Sequence, residues 1–469
     1  LCTNDWMTRL RAVCRSVFVS SLVTAVAAVS VPARAQDQTP DLTPAPSRSA
    51  EPAAPATPDA APEPVPAVPL VPPPPGPVDP SVAPPSAPQG KAAGDVSRVQ
   101  LASADGNYKV EFHGLLQADG RFFLTDKGGI GTFLIRRARP VIDAKLFKVL
   151  ELNLQSEFAS SKFQLLDAYG NIHIWDAIQL KAGKMKAPVG LERLQSSRDT
   201  MFPELALPSL LTPNRDIGAM LHGKIADGSF EYQLGVFNGV PNGQSGEIDT
   251  NDSKDIDGRV FAQPFLQTNV DPLKGLGLGI AGTVGNQQAA PGPYQTVGGA
   301  TFFSYGSSVV GLGKRWLVTP QGYYYFGPLG VLAEYARVKE HLQTPTTSGN
   351  VGTTAWAVQG SVALGGKQSF KGLRVKRPLD PANGHFGAFE LGARWGDLRV
   401  GDAAFKDGFA KRDTSAQRAT EWSVMGTWHL ADGQHVRVTY ERTNYRGGAP
   451  HGGDKKPELL LLARLQASF

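Results

Sequence analysis

The sequence predicts an all-β chain: a transmembrane antiparallel β-barrel of about 16 strands, preceded by a disordered proline-rich segment. Three observations predict it. Beyond Ser103 the chain is built of short segments, roughly ten residues each, in which apolar and polar side chains alternate between Gly, Asn, Asp and Pro clusters. The N-terminus has the layout of a secretory signal, and the final residue, Phe469, falls on the apolar face of the last alternating segment. Alternation by itself would also suit a soluble sandwich. Its persistence over roughly 365 residues without a helical domain, behind a secretory signal, selects the barrel.

From Met7 the residues Arg9, Arg11 and Arg15 form a positive region, residues 17–31 an apolar stretch, and Ala33-Arg34-Ala35 a small-x-small site. This order predicts a signal peptide over residues 1–35, with the true start at Met7 and cleavage after Ala35. Both cysteines, Cys2 and Cys14, fall inside it, so the mature chain is expected to carry no thiol, disulfide or cysteine-based metal site. Cys14 precedes the apolar stretch, which excludes a lipoprotein anchor. After the N-terminus the longest apolar run, residues 459–463, is far short of the roughly 20 residues a membrane-spanning helix needs.

Residues 36–95 are Ala, Pro, Val and Ser with scattered acids, and 19 of the chain's 37 prolines lie between Pro40 and Pro88. No periodic apolar face exists there, so nothing offsets the entropy of ordering. Collagen is excluded by the lack of a Gly-x-y period. The expectation is a disordered periplasmic linker of polyproline II character, acting as a spacer, as a ligand for a recognition domain, or as an attachment to the cell wall.

Residues 96–469 are expected to form the barrel domain. Leu150, Leu152 and Leu154 share one face against Glu151, Asn153, Gln155 and Glu157. Val436, Val438 and Tyr440 oppose Arg437, Thr439 and Glu441, and the last strand sets Leu461, Ala463, Leu465, Ala467 and Phe469 against Leu462, Arg464, Gln466 and Ser468. Lipid cannot satisfy an open sheet edge, so the sheet must close. At roughly 22 residues per strand and connection the count comes to about 16, wide enough for a water-filled lumen. The terminal Phe469 looks like the C-terminal assembly signal of bacterial outer-membrane barrels, implying the barrel-assembly machinery, outer-membrane lipid and lipopolysaccharide as partners.

In a pore, function is the chemistry of its narrowest lining. Through Asp95 there are 6 basic and 8 acidic residues, which leaves 41 and 34 of the chain's 47 and 42 for the barrel segment, a net of +7. The bases cluster. In the run 133–145, alternation places Arg137, Arg139, Asp143 and Lys145 on the lumenal face, opposite Leu134, Ala138, Ile142 and Ala144. Arg136 has the opposite parity: it sits at the membrane edge or a subunit interface, or a bulge turns it inward. The plainer alternative for Arg137 and Arg139 is an interfacial girdle. A second cluster begins at Lys181, and its Lys184 and Lys186 enter residues 188–217, which lack alternation and carry four prolines with Arg193, Arg198 and Arg215. A stretch this long outside a strand is expected to be functional. The expectation is a constriction loop near 188–217 folded into the lumen, apolar residues against the wall and bases along the passage; the alternative is a surface loop.

The elements RRAR (136–139), GKMKAPVGLERLQSSRD (183–199), NRDIGAMLHGKI (214–225) and FEYQLGVFNG (230–239), in this order and spacing, resemble the phosphate-selective porin O and P family. The resemblance covers the first third of the barrel. It implies a homotrimer of 16-stranded barrels, an inward-folded third extracellular loop, and anion sites built from lumenal Arg and Lys. By motif, Arg136, Arg137, Lys184 and Lys186 are implied at the constriction, with Arg198 and Arg215 as loop bases or partners of Asp199 and Asp216. The chain departs from the family in having Val189 where Phe is frequent, and in its proline-rich segment.

The function expected is an outer-membrane porin whose lumenal Arg and Lys admit phosphate or similar oxyanions, including polyphosphate. A general porin of weak anion preference and a structural barrel tethering the membrane through its proline-rich arm are the alternatives. Catalysis is not expected: the eight histidines are scattered, no H-E-x-x-H occurs, and the glycines at 275–279 lack a following Gly-Lys-Ser/Thr. No cofactor, metal or nucleic-acid partner is expected.

Overall fold

The computed structural model describes residues 99–125, 129–159, 163–247, 249 and 251–469; the expected signal peptide and the linker lie outside the described residues. Sixteen strands alternate with their connections. They are β1 (Tyr108–Phe123), β2 (Thr132–Leu146), β3 (Leu150–Glu157), β4 (Gln164–Trp175), β5 (Ile178–Lys186), β6 (Arg215–Ile225), β7 (Phe230–Phe237) and β8 (Asp255–Ala262). There follow β9 (Leu276–Gln287), β10 (Val310–Phe326), β11 (Leu329–Gln343), β12 (Ser348–Leu364), β13 (Ala388–Val400), β14 (Ala416–Ala431), β15 (Gln434–Ala449) and β16 (Glu458–Ser468). Each pairs antiparallel with its chain neighbours, and β16 returns to β1 over Leu115↔Ser468 to Phe123↔Leu460. The sheet is thus a closed 16-stranded barrel, as the alternation predicts. A short strand, Val99–Ala102, continues the seam by pairing with the first residues of β1.

The dyad pattern sorts side chains as expected for strands between lipid and water. On β13 Phe389, Leu391 and Trp395 are exposed on the outer face while Glu390 and Arg394 are buried inside. On β16 Leu465 points outward, and Arg464 and Gln466 inward. Most connections at one end are short, as in 176–177, 327–328 and 432–433, with 263–275 and 365–387 the longer exceptions; those at the other end are mostly longer.

The lumen is not uniformly open. Apolar residues of the connections 187–214 (Val189, Leu207, Leu211), 288–309 (Tyr294, Phe302, Phe303, Val309) and 401–415 (Ala404, Phe409) form one buried cluster with the inner wall of β9–β14. Small wall residues such as Ala281, Ala336, Ala355 and Ala419 let the connections approach closely. The expectation of a water-filled interior is therefore corrected for this half of the mouth: three apolar connections meet a wall of small side chains there, and burial drives them together. The open chambers lie mainly against β1–β7.

Candidate functional site

Residues 187–214 form the third of the eight connections at the long-loop end. They cross the interior, because inward-facing side chains of distant strands bond to their backbone. Gln117 of β1 donates to Ser197 O, Arg394 of β13 to Glu204 O, Arg437 of β15 to Thr200 O, and Gln466 of β16 to Arg198 O. Arg394 also lies over the Phe202 ring, 4.7 Å from its centroid. Gly190 starts a helical turn, Leu191–Leu194, at φ 84°, where a Cβ would come within 2.9 Å of Thr212 Oγ1. Glu192 accepts from Ala206 N and Gln359, and Arg193 bonds Thr212 Oγ1 and Ser209 O, so the segment is stapled to itself and to the wall. Burial lowers the Arg193 guanidinium to about 10, and it remains charged at neutral pH.

The wall opposite carries a β-bulge. Gln117 pairs with Arg137 and Ala118 with Ile135, so Arg136 is the extra residue. The bulge resolves its parity: Arg136 joins Arg137 and Arg139 on the lumenal side, while Phe133 and Ile135 take the exposed face. Arg136 then reaches Glu204 of the crossing segment through Nε (2.6 Å) and Nη2 (2.9 Å). Arg121 (3.2 Å), Arg137 (3.3 Å) and Arg464 (3.0 Å) bind the same carboxylate. Burial would raise the Glu204 carboxyl, but Arg137, Arg136 and Arg464 together hold it well below the usual glutamate range.

Two chambers meet at this wall. The one nearer the long loops has a volume of about 690 Å³ and includes Arg121, Arg136, Arg137, Arg193 and Glu204 in its lining. The deeper one, about 320 Å³, includes Asn153, Tyr169, Lys181 and Gln233. Four residues line both and therefore form the neck: Arg139, Lys186, Ser197 and Arg215. Arg139 bonds Glu157 (2.7 Å) and Ser197 Oγ (2.9 Å), and Arg215 holds Asp167 in a bidentate pair (2.9 and 3.1 Å). Lys186 donates to Gln195 O (2.6 Å) and makes no ion pair among the described residues, which sets it apart from Arg139 and Arg215. Further in, Lys181 borders the deeper chamber and both cavities beyond it.

Of the residues singled out in the sequence, Arg136, Arg137, Arg139, Lys186, Arg193 and Arg215 thus line the chambers. Lys184 does not: next to Gly183 (φ 124°), its ammonium bonds Leu165 O and Glu247, and it lines neither chamber. Arg198 pairs with Asp199 (3.1 Å) across the segment, in a separate small cavity beside Tyr325, His435 and Arg437. Asp216, expected as a partner of Arg215, instead accepts from the Ile217 and Gly239 amides, and Arg215 takes Asp167. Sequence reasoning placed Lys181 in the second basic cluster without assigning it to the site, and did not find Arg121, Glu204 or Arg464 as site residues. Parity marks Arg464 as inward, but nothing local joins it to Arg136, more than 300 residues away.

A closed barrel with an apolar outer face, a polar interior and a basic passage narrowed by an inserted segment is a channel of the outer membrane. The sequence comparison specifies which: the model of phosphate-selective porin O and P matches residues 107–469, and the chain belongs to that family. No curated protein matches the sequence significantly. Among solved structures it is similar to outer-membrane expressed OmpT of Vibrio cholerae, at 14% identity over 79% of this chain and 100% of that one, with a TM-score of 0.51. It is similar also to the outer membrane channel DcaP of Acinetobacter baumannii, at 8% identity over 78% and 99%, again with a TM-score of 0.51. At these identities the likeness concerns the fold alone.

Proposed function

We propose that the chain is an anion-selective porin through which phosphate or a similar oxyanion diffuses. The observation that carries this reading is the line of bases along one wall: Arg136 and Arg137 in the outer chamber, Arg139, Lys186 and Arg215 at the neck, Lys181 in the inner chamber. Positive charge in a narrow, low-dielectric passage raises the local anion concentration, and guanidinium forks match the oxygens of a tetrahedral oxyanion. Glu157 and Asp167, paired with two of the neck bases, keep each site weak enough to release its ion, so that moderate sites in series conduct. The long connections face the exterior in this reading, the proline-rich linker lies in the periplasm, and the functional unit is a homotrimer.

The test is single-channel recording of the refolded protein in planar bilayers under a KCl gradient, with phosphate titrated against chloride. The expected result is a reversal potential on the anion side and block of chloride current by low phosphate. Channels without anion preference would leave a general porin. No channels from a demonstrably folded barrel would favour a tether.

A further inference from the structure

The geometry points to a second oxyanion site in the outer chamber, built by Arg121, Arg136, Arg137 and Arg464 and occupied at rest by the chain's own Glu204 carboxylate. It rests on the porin reading and goes beyond it, because it makes Glu204 a tethered competitor of the permeating ion. Four guanidiniums converge on one carboxylate at 2.6 to 3.3 Å, and the nearest further acid, Asp119, pairs with Arg464 and Arg121. Four positive charges thus face two negative ones. The site also has donors to spare: the Nε atoms of Arg121 and Arg137 are buried without a hydrogen-bond partner among the described residues, and Arg137 is more than nine-tenths buried. An unpaired buried donor is costly, so the site favours an additional oxygen ligand.

The resident ligand has the chemistry of the expected cargo. A carboxylate offers two anionic oxygens to planar forks, which is what a phosphate would offer from the chamber. Arg121, Arg136, Arg137 and Glu204 all line that 690 Å³ chamber, so an ion entering from the long-loop end meets the cluster before the neck. Glu204 sits on the crossing segment rather than on the wall, and it can give up its place to an entering anion without unpairing a strand. The tethered carboxylate keeps the guanidiniums arranged, and it lowers the affinity of a site that four unopposed arginines would make too tight for conduction.

The test compares wild type with Glu204→Gln, an isostere that keeps the hydrogen-bonding shape and removes the charge. Inorganic phosphate is titrated against chloride current in bilayers, with folding checked by heat-modifiable mobility. The proposal expects half-block at about tenfold lower phosphate in E204Q, from the loss of one facing negative charge, with a longer dwell per blocking event. In the double variant Glu204→Gln, Arg121→Gln most of that gain should disappear. A carboxylate that only braces the segment would give E204Q the same or weaker block with altered open-state conductance, and that result overturns the proposal. Should E204Q not fold, Glu204→Asp, which keeps the charge and shortens the reach, is expected to shift the block in the same direction by a smaller factor; unchanged or weaker block there overturns it equally. A wild-type channel without anion preference would instead defeat the porin reading itself, so the two failures are distinguishable.

Discussion

Asp119 and Arg464 stand opposite each other where the first and last strands of the barrel meet, joined by paired hydrogen bonds of 2.6 and 2.7 Å. Both are almost fully buried, 345 residues apart in the chain, so the pair forms only when the cylinder closes. Removing Arg464 leaves the buried Asp119 carboxylate with only its longer contact to Arg121 (3.4 Å), whereas removing Asp119 leaves Arg464 on Glu204 (3.0 Å). Arg464→Ala is therefore expected to destabilise the barrel by about 3–5 kcal/mol, more than Asp119→Asn, which keeps a hydrogen-bonding group in place. Urea unfolding in detergent, followed by heat-modifiable mobility, measures both; equal or negligible losses would show that the seam does not depend on this pair.

The neck yields a prediction about selectivity. Lys186 lines it without an ion-pair partner among the described residues, whereas Lys184, two positions earlier, is spent on Leu165 O and Glu247. Lys186→Ala should lower the anion-to-cation permeability ratio about fivefold, equivalent to about 1 kcal/mol between the two ions in the narrow passage. Lys184→Ala should leave that ratio nearly unchanged. Reversal potentials of the two variants under the same salt gradient decide it, and the opposite ranking would move the narrow point away from the neck.

How far the sequence reached follows from what each feature depends on. Lumenal parity was legible because it is written in a period of two, imposed by lipid on one face and water on the other; closure followed from the edge that lipid cannot satisfy, and the strand count from the length of the alternating region. The inward turn of Arg136 was legible only as one alternative beside the membrane edge and a subunit interface, since a bulge is a relation between two strands and parity counts only one. The role of Glu204, which lies in a stretch with no periodicity and acquires its meaning from arginines on β1, β2 and β16, was not legible. The apolar filling of half the mouth escaped for a related reason: nothing local in the sequence joins Phe302, Phe303 and Phe409 to the small residues of β9–β14 that stand behind them.

The same carboxylate sets a pH dependence. Glu204 titrates well below its ordinary value near 4.5, so the folded protein favours the ionised form. A depressed pKa stabilises fully above the unfolded value and loses that contribution as pH falls towards the folded one. The stability difference between wild type and Glu204→Gln should therefore be constant from pH 7 down to about 4.5 and shrink below it. Thermal unfolding of the two proteins across pH 3–7 checks this; a difference that fades already between pH 7 and 5 would mean that Glu204 is not held by the arginines.

At the end of the seam the C-terminal residue completes the sheet: the amides and carbonyls of Phe469 and Gly114 bond reciprocally at 3.2 Å. The Phe469 ring lies over Gly114 so closely that a Cβ there would stand 2.2 Å from its Cε1. The glycine is thus the place in β1 where the last side chain rests, and each needs the other's form. Gly114→Val is expected to displace the ring and lower the yield of folded barrel, while deletion of Phe469 removes both the ring and two hydrogen bonds at the closing edge. If Phe469 serves only the seam, deletion should slow refolding in detergent as strongly as it lowers surface levels in cells. If it is chiefly a recognition signal for the assembly machinery, refolding in detergent should be nearly normal while surface levels fall, and Gly114→Val, which keeps the terminal residue, should assemble better than the deletion. Measuring both quantities for both variants separates the two roles, and normal surface levels of folded deletion variant would remove the assembly role altogether.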